Sequence, residues 1–112
     1  NISNGTRGIS AGSGPNLGDV SGLISSININ SGGHADEFGD MTSNRRATAG
    51  ASSRTRGMIM GGIAHPSSTN AVNTIEYITI STAGNAEDFG DLSNATRDAS
   101  GLSDSHGGLG GF

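Results

Sequence analysis

The chain repeats itself, and this limits its fold more than any other feature. The segment Ile24-Ser25-Ser26-Ile27-Asn28-Ile29, followed by His34-Ala35-Asp36-Glu37-Phe38-Gly39-Asp40-Met41, returns once. The second copy reads Ile75-Glu76-Tyr77-Ile78-Thr79-Ile80, followed by Asn85-Ala86-Glu87-Asp88-Phe89-Gly90-Asp91-Leu92. The interval is about 50 residues, a period typical of propeller blades. Thr6-Arg7-Gly8-Ile9 likewise matches Thr55-Arg56-Gly57-Met58, and Ser105-His106-Gly107-Gly108 opens a third, unfinished copy. The expected organisation is a single repeat region over 1–112: a partial unit 1–53, a complete unit 54–104 and the start of a third at 105–112. A blade-sized unit present about twice does not close a ring alone. Completion by other chains, or by sequence beyond this stretch, is therefore expected.

Within each unit the pattern has the period of strands. Ile75, Tyr77 and Thr79 alternate with Glu76, Ile78 and Ile80 between turn residues, a β-branched run that reads as a strand. Gly57 to Gly62 is a second kind of strand, ended by Gly61-Gly62, a diglycine that permits positive φ or close backbone approach. Ala47 to Ala51 and Ala99 to Leu102 are a third kind, of small residues suited to a crowded central position. Phe38-Gly39-Asp40-Met41 and Phe89-Gly90-Asp91-Leu92 are a fourth, with the phenylalanine as the large apolar anchor of each unit. The fold class expected is all-β: tandem four-stranded antiparallel blade repeats, with strands near 8–11, 24–29, 38–41, 47–51, 57–61, 75–80, 89–92, 99–102 and 107–111. Phe38 and Phe89 are expected at equivalent buried positions. The connections Ser13 to Asp19 and Ile63 to Asn73 differ between copies, and such loops are where repeat proteins place recognition.

Composition narrows the function. The chain has 112 residues, 20 glycines, 31% hydrophobic and 4% aromatic residues, which describes tight turns and small side chains rather than one bulky core. A net charge of -4 with ordered apolar runs argues against disorder. Without cysteine there is neither a disulfide nor a thiolate metal site. All six cationic residues are arginine; Arg45-Arg46, Arg54 and Arg56 cluster in sequence, and pairing with the acidic residues of neighbouring repeats is preferred to nucleic-acid binding. No apolar stretch reaches the ~20 residues of a membrane-spanning helix, so no membrane insertion is expected.

The order of a diglycine strand, the Asn73-Thr74-Ile75-Glu76-Tyr77 strand, an acidic turn and an aromatic-containing strand resembles the kelch-type β-propeller repeat. Gly61 and Gly62 match its diglycine, Tyr77 its tyrosine, Phe89 the place where kelch repeats usually carry tryptophan, and Arg97 its arginine. The first copy departs from the pattern with Ser13 for the second glycine and Ser26 for the tyrosine. Over nearly the whole chain, the phrases Thr55-Arg56-Gly57, Asn73 to Ile80 and Gly84 to Leu92 also resemble repeats of large virion and tail-fibre proteins of marine bacteriophages. That resemblance implies a structural or adhesive component located in the virion. Its partners are then copies of itself in an oligomer or fibre, other virion proteins, or a host-surface glycan or protein. An extracellular filament subunit or kelch-type binding module is the alternative.

Motifs that resemble catalytic ones lack their companions. Asp88-Phe89-Gly90 spells a kinase signature, but a lysine-free chain has no ATP-pairing lysine. The acidic sets Asp36, Glu37, Asp40 and Glu87, Asp88, Asp91 recur together with the phenylalanine, so a role in building the repeat is preferred to Ca²⁺ ligation. His34, His65 and His106 are far apart and have no metal-ligand spacing. The expectation is a non-enzymatic protein with no cofactor and no metal site. Its functional residues are the repeat anchors Phe38, Gly39, Asp40, Gly61, Gly62, Tyr77, Phe89, Gly90 and Asp91.

Overall fold

The computed structural model of the chain describes residues 2–12, 22–64 and 70–101. These residues form only β-structure, in antiparallel sheets that do not close into a barrel. The first four-stranded sheet comprises β1 (Ile2–Ser3), β2 (Arg7–Ala11), β3 (Leu23–Asn28) and β4 (Asp36–Asp40), each hydrogen-bonded to the next. The short strand β5 (Arg45–Arg46) follows. The second four-stranded sheet takes β6 (Ala49–Ser52), β7 (Arg56–Met60), β9 (Val72–Thr79) and β10 (Glu87–Thr96), in that spatial order. In sequence, β8 (Ile63–Ala64) falls between β7 and β9; those two pair directly with each other, and β8 pairs instead with β5.

The two large sheets are built by the same local chemistry. At the first turn of sheet one, Asn4 Oδ1 accepts from the N–H groups of Thr6 and Arg7 at 3.1 and 2.8 Å; in sheet two, Ser53 Oγ accepts from Thr55 and Arg56 at 3.3 and 3.1 Å. Short polar side chains of this kind satisfy the turn backbone and set the register of the hairpin. The N–H of Ile29 then donates to Thr6 O and that of Ile80 to Thr55 O, both at 2.9 Å. Each fourth strand carries a β-bulge. Ile24 pairs with Gly39 and Ser25 with Glu37, leaving Phe38 as the extra residue; Ile75 pairs with Gly90 and Glu76 with Asp88, leaving Phe89 as the extra one. A bulge re-aims the side chain it carries, and here it turns the unit's large aromatic.

The core lies between the sheets. Ile2, Ile9, Ile24, Phe38 and Met41 from the first pack with Ile59, Ile78, Ile80 and Ala86 from the second. Burial of a side chain such as Ile24, which is fully buried, stabilises the fold by about 1.5–3 kcal/mol. The expected diglycine does both things foreseen for it. Gly61 and Gly62 have φ of +63° and +96°, and a Cβ on either would lie 2.4 Å from Thr96 O or 2.6 Å from Arg46 O. Gly62 N–H donates to Thr96 O at 2.8 Å and its carbonyl accepts from Val72 N–H at 2.9 Å.

Several expectations need correction. The strand expected over 99–102 is not formed by its described residues 99–101, and the one at 107–111 lies outside the described residues. The small-residue strand at 49–52 is not central but the edge of sheet two. Its small side chains admit another backbone alongside: a Cβ on Gly101 would be 2.5 Å from Gly50 O, and Asp98 N–H donates to Ala47 O at 3.1 Å. The connection expected from Ile63 to Asn73 is shorter, because Ile63–Ala64 forms β8, Ile63 bridges Ala71 and β9 begins at Val72. The first connection and the residues 65–69 of the second lie outside the described residues. Phe38 and Phe89 occupy equivalent positions but not equivalent surroundings: Phe38 is 3% exposed and Phe89 is 52% exposed. Phe38→Ala is therefore expected to lower stability by about 3–5 kcal/mol. Phe89→Ala in the isolated chain should change it by about 1 kcal/mol or less. Chemical denaturation of the two variants checks both.

Candidate assembly interface

The site where named side chains converge is the junction of the two sheets. One half of it is an edge contact. The turn at 84–86 lies along β4, so that Gly84 N–H donates to Phe38 O and Ala86 N–H to Asp40 O, both at 2.8 Å. Asp40 N–H donates in turn to Asn85 Oδ1 at 3.0 Å. The contact covers a strand edge that otherwise presents unpaired backbone groups. It needs glycine at 39, where a Cβ would lie 2.1 Å from Gly84 O. At the same junction Arg7 stacks over the Phe38 ring, 5.6 Å from its centroid, and donates from an Nη to Ile80 O at 2.8 Å.

The other half is a buried ion pair. Arg45, on β5, and Glu76, on β9, are both fully buried and bonded to each other. The same guanidinium donates to Gly61 O at 2.7 Å and Thr74 O at 3.3 Å, while Glu76 Oε2 accepts from Thr42 N–H at 2.8 Å. The Nε proton of Arg45 finds no acceptor among the described residues. Such a pair adds little net stability over an apolar replacement, but losing one member strands the other charge without solvent. Glu76→Ala should cost about 3–5 kcal/mol in a denaturant titration, and Arg45→Met combined with Glu76→Leu should recover most of that loss.

On the outer face of sheet two, Tyr77 stands edge-on to Phe89 with ring centroids 6.1 Å apart, and Arg56 lies over the Tyr77 ring at 4.5 Å. The Tyr77 hydroxyl donates to Glu87 Oε2 at 2.6 Å. That hydrogen bond, then the carboxylate's charge and then burial raise the phenol's pKa above its ordinary value, while the Arg56 charge opposes the rise. The raised value means that the bond to Glu87 holds while the phenol is protonated and is lost as pH climbs through the folded-state pKa. With one tyrosine and no tryptophan, phenolate absorbance reports this group alone. Glu87→Gln should lower the titration midpoint and Arg56→Gln should raise it.

Of the residues expected to matter, Phe38, Gly39 and Asp40 meet at the junction, and Gly61 joins them through its bond to Arg45. Gly62 ties together β9 and β10. Tyr77 and Phe89 lie together on the outer face, Asp91 is exposed on β10 opposite Thr74, and nothing lies within 4 Å of a Cβ placed on Gly90. Arg97 is exposed, 3.9 Å from Asp98. His34 is an exposed turn residue, and His65 and His106 lie outside the described residues. Arg45 belongs to the arginine cluster expected to pair with acidic residues of a neighbouring repeat, and it pairs with Glu76. Sequence reasoning did not single out Glu76, Arg7 or Asn85 as site residues. Glu76 had a legible signal, since it shares strand parity with Ile78 and Ile80 and so sits on the apolar face. No protein-family model matches the chain, and no curated protein matches it.

Proposed function

We propose that this protein is a non-enzymatic structural or adhesive component that acts by stacking β units, and that its setting is a phage particle, as a tail-fibre or other virion protein. The observation that carries the reading is the junction: two successive sheets, the second starting at Ala49 within the stretch expected as the first unit, form the same four-stranded meander and are joined by an edge contact, an apolar face and an ion pair. A molecule made of docked repeats extends by adding units, and its stability is a sum of units and the interfaces between them. Four antiparallel strands per unit, with a diglycine after the second strand of sheet two, also support the kelch-like reading of the unit. The virion setting rests on the resemblance of the repeated phrases. The alternative, an extracellular filament subunit or a kelch-type binding module, shares the geometry and differs in company. Mass spectrometry of purified virions should find this chain together with capsid and tail proteins; its occurrence only in particle-free extracellular or cellular fractions would favour the alternative.

A further inference from the structure

We propose that a second copy of this chain docks head to tail on the outer face of sheet two, seating its own sheet one there and reproducing between molecules the junction found within one. The inference rests on the reading of the protein as a stacking module and names the surface used. The internal junction joins two different faces. Sheet one contributes Ile9, Ile24 and Phe38, whereas sheet two contributes Ile59, Ile78 and Ile80 from the opposite face of its unit. The repeat therefore carries each half a second time, unused. Phe38 becomes Phe89 on the outer face of sheet two, going from 3% to 52% exposed. Ile78 and Ile80 become Ile27 and Ile29 on sheet one, going from 2% and 0% to 38% and 52% exposed. Of the large hydrophobic side chains exposed among the described residues, Leu23 alone falls outside this set.

The backbone carries the same message. Gly39 must be glycine because the 84–86 turn presses on it, yet Gly90, its repeat equivalent, has open space where a side chain would stand. Gly33 is the equivalent of Gly84 in the turn that would press on it. Docking the 33–35 turn of one copy along β10 of another puts the Gly33 N–H against Phe89 O and the Ala35 N–H against Asp91 O. A ring nitrogen of His34 then takes the acceptor role of Asn85. Arg56, the equivalent of Arg7, is placed to donate to Ile29 O as Arg7 donates to Ile80 O. The ion pair is not repeated. Gly12 abuts the Arg45 carbonyl as Gly61 abuts that of Thr96, so Thr96 stands in the place of Arg45, while Ser25 stands in that of Glu76. The contact between copies thus lacks the buried ion pair of the internal junction. It is heterologous, and successive copies add to a ring or a filament according to the rotation between them.

Sedimentation velocity over a concentration series of the full chain tests this. The wild-type chain should grow past a dimer as concentration rises. Gly90→Val should abolish growth while leaving the far-UV spectrum and melting temperature unchanged, whereas Gly39→Val should lower the melting temperature. Ile29→Asp should also give a folded monomer. Mixing the Gly90→Val and Ile29→Asp chains should yield a one-to-one dimer and nothing larger, since the mixture holds one intact head and one intact tail surface. His34→Asn should strengthen association, and a chain stopped after Gly101 should associate at least as well. A wild-type chain that stays monomeric throughout, association that survives Gly90→Val and Ile29→Asp, a mixture without dimer, or association lost on stopping at Gly101 would each overturn the proposal. A chain found in virions but monomeric here would sink the docking and leave the proposed function standing; one that assembles but is absent from virions would do the reverse.

Discussion

The rest of the structure depends on Arg45 reaching out of its own unit. Its backbone follows the first sheet, but its guanidinium ends inside the second, on Glu76 and two carbonyls. A buried cation demands those partners, so the orientation of one sheet on the other is held to the reach of a single side chain. The apolar side chains between the sheets supply most of the driving force. They are mainly isoleucines of similar shape, and apolar contact alone is tolerant of sliding. The ion pair and the 84–86 edge contact remove that tolerance.

The two units are alike in backbone and unlike in charge. Where the first carries Ser25 and Arg45, the second carries Glu76 and Thr96. Exchanging their order would leave Arg45 without its carboxylate and Glu76 without its guanidinium. The pair thereby acts as an address: it records which unit precedes which, while the common glycines and isoleucines record only that units stack.

Much of this was legible in the sequence. The doubled strand pattern identified the meander strands 7–11, 23–28, 36–40, 56–60, 72–79 and 87–96 to within a few residues, because alternation and turn chemistry act locally. The short strands at 2–3, 45–46 and 63–64 were missed, since two residues carry no periodicity. The bulges were missed too: an extra residue is visible only against its partner strand. Equivalence of Phe38 and Phe89 was readable from the repeat, but burial was not, because it depends on whether a neighbouring unit is present on that side. The acidic residues at 36, 37, 87 and 88 lie exposed at the starts of their strands, while the carboxylate that matters most, Glu76, stood alone in an apolar run.

The diglycine has a consequence for how such a protein changes over time. Beyond it, the chain on the two sides of residues 65–69 is pinned together by the Ile63–Ala71 bridge and by the bond from Val72 to Gly62. A segment whose two ends are pinned together by backbone bonds is insulated from the frame that carries it. Doubling such a segment's length raises its closure cost by only about 0.6 kcal/mol. An insertion at this neck is thus cheap in closure entropy, which makes the neck a natural grafting point and a place where related molecules can diverge while their scaffolds stay the same.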